Sequence, residues 1–151
     1  MGLSITRRGL LLQAVAAAVM TSVPLHAATP GGGTAMQLRF SFDTHDFTAT
    51  LDDTPTARDL MSMLPLDLTI EDYSTNEKIA RLPRRLTEDG SGPFRGEAPG
   101  DLCYFAPWGN LAFFYGGYGF SRGLIRLGRL NGGIGPLLTR GSFPLTVRGL
   151  A

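Results

Sequence analysis

The chain has 151 residues with 14 basic and 13 acidic side chains, 20 glycines, 10 prolines and a single cysteine. Outside Arg7-Arg8 only Arg84 and Arg85 are adjacent among the arginines, so no basic stripe or polybasic patch is present to neutralise the phosphates of nucleic acid or of a membrane surface. One cysteine cannot close a disulfide within the chain, and the length supports one hydrophobic core.

Residues 1–28 read as an export leader, with paired arginines, then an apolar stretch, then small residues. Thr6-Arg7-Arg8-Gly9-Leu10-Leu11-Leu12 resembles the twin-arginine signal, in which the arginine pair matters most. Gln13, Thr21, Ser22 and Pro24 dilute the apolar stretch from Gly9 to Leu25, which makes it a poor membrane span. A cut near Ala27 or Ala28 is favoured, with an uncleaved anchor as the second reading. The leader implies a periplasmic or secreted protein, with no stable membrane span after cleavage. Residues 29–35, with Pro30-Gly31-Gly32-Gly33, are a Gly-rich linker. Arg7 and Arg8 are two of the 14 basic residues, so the remaining chain holds 12 against 13 acidic ones, a formal charge of −1.

From residue 36 the pattern is β. Leu38, Phe40 and Phe42, then Phe47, Ala49 and Leu51, alternate with polar residues on either side of Asp43-Thr44-His45-Asp46, which predicts a hairpin. Thr54 as N-cap and Pro55 at the first helical position open a ten-residue helix carrying Leu60, Met61 and Leu64, ended by Pro65 and expected to plug one end of a curved sheet. Leu66 to Ile70 and Lys78 to Leu82 are further strands. Pro83 to Gly100 holds three prolines and four glycines and must be a long loop, a length that in compact domains is functional or mobile. Leu102–Phe105 and Leu111–Tyr115 flank a turn at Pro107-Trp108-Gly109 and are apolar on both faces, which fits a sheet covered twice or closed on itself. Leu124–Leu130 and the alternating Phe143, Leu145 and Val147 complete the set. About eight strands, one or two short helices and many glycines together predict a mainly β fold, a small closed barrel over residues 36–151.

The chemistry is sparse. Cys103, between Leu102 and Tyr104, reads as a buried thiol, with an intermolecular disulfide or a reactive thiol as the alternative. Six of the fourteen aromatics, from Trp108 to Phe120, fall within thirteen residues. Phe113 and Phe114 at mid-strand fit the core. Trp108, Tyr115, Tyr118 and Phe120 are candidates for a ligand-binding surface, with the Pro83–Gly100 loop beside it. Glu71, Asp72 and Glu77 form an acidic group, but neighbours on an extended chain point to opposite faces, and a solvated loop or an ion pair with Lys78 or Arg81 is the simpler expectation. Arg58, Arg84, Arg122 and Arg126 are candidates for an anion contact, with Arg84 in the candidate site. No zinc-type ligand set, phosphate loop or nucleophile motif is evident, so no cofactor or metal is expected.

Tyr104-Phe105-Ala106-Pro107-Trp108-Gly109-Asn110-Leu111-Ala112-Phe113-Phe114-Tyr115 resembles a segment of the bacterial cyclophilin-like domain family of unknown function. Shorter blocks agree in order, among them Pro55-Thr56-Ala57-Arg58-Asp59, Pro99-Gly100-Asp101-Leu102 and Gly123-Leu124-Ile125-Arg126-Leu127-Gly128. The resemblance spans Met36 to Val147 and implies a cyclophilin-type β-barrel of about eight strands. True cyclophilins isomerise prolyl bonds with an arginine in a Phe-His-Arg context, which this sequence lacks. His45 and Gln37 lie at the first hairpin, away from any such setting. The expectation is therefore a non-catalytic module that binds a proline-containing peptide or a small molecule. A divergent prolyl isomerase is the alternative, and an accessory subunit of an exported redox partner is a third reading motivated only by the route of export.

Overall fold

Side chains on an extended strand alternate between two faces, and the strands here use that alternation to line one interior and one exterior. The computed structural model describes residues 33–151; the expected twin-arginine leader and the start of the expected linker lie outside the described residues.

β1 (Gln37–Phe42) and β2 (His45–Leu51) form the predicted hairpin, with Phe42 opposite His45. The turn is only Asp43 and Thr44. Asp43 takes a positive φ of 50°, which Asp tolerates better than most residues. His45 and Asp46 thus belong to the strand, two residues earlier than the sequence suggested. α1 (Pro55–Ser62) starts as expected: Ala57 N–H donates to Thr54 Oγ1 at 3.2 Å, and Pro55 opens the helix. The helix has eight residues rather than ten, because the Met63 N–H turns back to the Leu60 carbonyl and closes the last turn.

β3 (Leu66–Tyr73) pairs with β4 (Glu77–Arg81); β5 (Asp101–Phe105), β6 (Asn110–Phe114) and β7 (Leu124–Leu130) follow, then a short 3₁₀ turn at Gly135–Leu138 and β8 (Phe143–Leu150). Every pairing is antiparallel, and the order β1-β2-β7-β5-β6-β4-β3-β8 closes back on β1. Glycine enables the β2–β7 seam: a Cβ on Gly128 would lie 2.1 Å from the Thr50 carbonyl oxygen.

The interior is filled by the inward positions of all eight strands, with Leu38, Phe40, Phe113 and Leu127 fully buried, and α1 adds Ala57 and Leu60. One charge sits among them. Lys78 is fully buried and donates to Asp72 Oδ1 at 2.8 Å, the ion pair expected from the sequence, while Glu71 points outward.

A second apolar cluster, Cys103, Ala112, Phe114 and Leu124, lies on the outer face of β5, β6 and β7 under Phe94, Phe105 and Tyr118. This explains why β5 and β6 are apolar on both faces. The Pro83–Gly100 loop is tied down along its length. Leu86 N–H donates to the Tyr104 hydroxyl, Thr87 N–H to Asp59 Oδ2, and the Arg126 and Arg129 guanidinium groups to the carbonyls of Arg95 and Gly96.

Candidate functional site

On the outer face of the barrel, β4 and β6 run side by side with Glu77 opposite Phe114, Ile79 opposite Ala112 and Arg81 opposite Asn110. The small Ala112 side chain leaves room above it. There a pocket of about 390 Å³ opens, floored by Ile79 and Ala112. One wall is the Phe114–Tyr118 stack, whose rings are 3.7 Å apart and nearly parallel. The opposite rim carries Trp108, packed edge-on between Tyr73 at 5.2 Å and Phe105 at 5.5 Å. Trp108 and Tyr73 are 45 % and 41 % exposed, which makes them a rim and not core.

The polar groups of this pocket are few. Glu77 sits at one end, and burial pushes its carboxyl up to about 7. Asn110 lies at the other end, four positions along the strand pair. Its Nδ2 donates to the Leu111 carbonyl at 3.0 Å, whereas its Oδ1 is buried with no partner, an arrangement that costs free energy. Asn76 Nδ2 is used by the Gly117 carbonyl. Nothing in the sequence marks Asn110, Tyr73 or Phe105 as pocket residues, and Glu77 is grouped there with Glu71 and Asp72. Outward parity on β4 and β6 was readable, but their pairing across 28 intervening residues was not.

Tyr118 is fixed from behind. Its hydroxyl donates to Asp101 Oδ2 at 2.6 Å, and burial followed by this bond raises its pKa, so it stays neutral. Asp101 is fully buried and also receives the Ala98 N–H; Arg129 Nε stands 3.0 Å from its Oδ1 as an ion pair without hydrogen-bond alignment. One carboxylate thereby anchors both the pocket wall and the end of the long loop. Cys103 lies beneath, its thiol pushed up to about 12 by burial, and is no nucleophile at physiological pH.

Of the candidate residues, Trp108 and Tyr118 line the pocket together. Phe120 lies outside it, edge-on to Phe94 at 5.3 Å, with its N–H on Glu97 Oε1. Tyr115 is half-buried against the interior core, and its hydroxyl accepts from Arg140. Arg84 is far along the fold, clasping Asp59 of α1 at 2.8 Å and holding that carboxyl below its usual range. No arginine, lysine or histidine is among the described residues lining the pocket. Among the described residues, no group of three His, Cys, Asp or Glu side chains could hold a metal ion.

A sequence model of the cyclophilin-like family matches residues 40–148, from the first strand of the barrel into the last. The chain belongs to the cyclophilin-like family. Its cyclophilin-like barrel is similar to the solution structure of a hypothetical protein from Archaeoglobus fulgidus, with a TM-score of 0.62 at 19 % identity, over 79 % of this chain and 98 % of that one. At that identity the likeness is one of fold alone. Among the curated proteins the sequence finds no match.

Proposed function

We propose that this cyclophilin-like barrel is a non-catalytic binding module that holds a small ligand or a peptide side chain in the aromatic pocket on its outer face. The observation that carries this reading is the half-exposed Trp108, held edge-on by Tyr73 and Phe105 above an apolar floor. Its volume lies within the range of ligand pockets, about 300–1,000 Å³, and its mix of apolar walls with a few fixed polar groups is typical of them. The isomerase alternative needs an arginine beside the pocket, which the lining does not supply, so binding is the favoured reading. With the paired arginines at its start, the protein acts outside the cytoplasm in this proposal.

Titration with a small-molecule set and with proline-containing peptides tests the binding reading, followed by amide chemical shifts. Shifts concentrated at Trp108, Tyr118 and Glu77 are expected; a spectrum unmoved there by every compound overturns it. In a protease-coupled peptide assay the X-Pro isomerisation rate should equal the uncatalysed one, and a faster rate would restore the isomerase reading. Export is tested by fractionating cells that make the full chain and an Arg7→Lys/Arg8→Lys variant; retention of both in the cytoplasm refutes it.

A further inference from the structure

The pocket carries one acidic side chain and no basic one, and beside the hydroxyls of Tyr73 and Ser121 and the indole N–H of Trp108 it offers strong acceptors at Glu77 and Asn110. Burial alone acts on the Glu77 carboxyl, with no hydrogen bond from the described residues contributing, Asn110 has its buried Oδ1 unpaired, and one N–H of the Asn76 amide is committed to Gly117. Around these acceptors stand aromatic rings, whose faces are electron-rich and attract cations. A ligand that complements this lining brings donors and positive charge. An anion would meet a carboxylate with no cation in the pocket wall to offset it.

We infer that the ligand of this pocket is a small organic cation, an amine whose ammonium group sits at Glu77 and whose apolar body lies over Ile79 and Ala112 between the aromatic walls. The inference rests on the binding reading above and narrows it to a chemical class. The ammonium and the ionised Glu77 form a charge pair in a partly dry setting, which is stronger than the same pair in water. The groups around Glu77 do not compete for this role. Tyr73 comes from β3, and neutral Tyr118 faces the pocket from the segment between β6 and β7. On β5 the thiol of Cys103 and the carboxylate of Asp101 lie behind the wall, with Arg126 beside Asp101. Lys78, next in sequence, points into the barrel and is spent on Asp72. Binding an ammonium favours the charged form of Glu77, so below about pH 7 the complex forms with release of a proton.

The test uses three probes of nearly the same shape: phenylpropylamine, phenylpropanol and phenylpropanoate. Trp108 is the chain's single tryptophan, so its emission reports this pocket alone. At pH 8 the amine should bind about tenfold more tightly than the alcohol, with the carboxylate weakest. The advantage should shrink as pH falls to 5.5, where the amine itself stays charged. Calorimetry at pH 6 in buffers of different ionisation enthalpy should show proton release. Glu77→Gln, checked for folding by near-ultraviolet circular dichroism, should bring amine and alcohol to equal affinity. If amine and alcohol already bind alike to the unaltered protein, or the carboxylate binds best, the charge argument is overturned while the pocket stands. If none of the three changes Trp108 emission or the pocket's amide shifts, this inference is overturned; failure of the binding reading is registered separately, by the broader small-molecule and peptide set.

Discussion

Replacing Glu77 by Gln is expected to stabilise the protein at alkaline pH. Burial raises the Glu77 carboxyl from 4.5 to about 7, so between those values the folded protein keeps a proton that the unfolded chain has lost. The sign follows from proton linkage. This group's contribution to stability is complete below pH 4.5 and is lost as pH rises through about 7. At about 1.4 kcal/mol for each tenfold difference, the ionised carboxylate costs about 3.5 kcal/mol at most, and about 2–3 kcal/mol once water that enters the pocket is allowed for. Glutamine keeps the shape and carries no charge. Urea unfolding of both proteins from pH 4 to 9 should therefore show nearly equal stability at pH 4 and an excess of about 2–3 kcal/mol for the variant at pH 9. The carboxyls of Asp46, Asp59, Asp72 and Glu97 are held below their usual values and titrate in acid in both proteins, so they cancel in the difference. A difference that does not change with pH, or that favours the parent at pH 9, refutes the assignment of Glu77 to a poorly hydrated pocket. A carboxylate retained at a cost to folding is the kind of group that marks a site.

Gly128→Ala should be severely destabilising, about 3 kcal/mol or more, because its Cβ would meet the backbone of Thr50, which cannot step aside. Thermal unfolding would show this beside Gly117→Ala, where nothing lies within 4 Å and little change is expected. Tyr118→Phe removes the hydroxyl bond to buried Asp101 and should cost about 2 kcal/mol in urea unfolding, with faster hydrogen exchange at Ala98 in the same anchor. Cys103, buried and protonated, should resist a disulfide reagent at pH 8 in the native protein and react at once in denaturant; prompt native labelling would contradict its position under the outer cluster.

Much of the barrel could be read from the chain because alternation is a local property. Leu38, Phe40 and Phe42 announced an inward face, and Thr54-Pro55 announced a helix start, before any tertiary contact was considered. Element ends were less legible. The hairpin turn is two residues because Asp43 accepts a positive φ, and β3 runs on to Tyr73 because β4 pairs with it there. The pocket was only half legible. Trp108 and Tyr118 stood out as aromatics at strand ends. Glu77 and Asn110 gain their meaning from the β4–β6 register and from burial, which no periodicity encodes. Arg84 looked available on the chain and is consumed by Asp59, a partner 25 positions away.

Closure of the barrel has a further consequence for recognition. Each of the eight strands has a neighbour on both sides, so no strand is an outer edge along its whole length, and the shortest seam, β2–β7, still holds three residue pairs. On the β4–β6 face, where both strands are paired along their length, a peptide would be recognised through its side chains and termini. Selectivity would then be set by a handful of outward positions on β4 and β6 and in the turns beside them. Those positions share no packing with the interior, so the barrel can trade one ligand for another by surface substitution while its hydrophobic interior stays as it is.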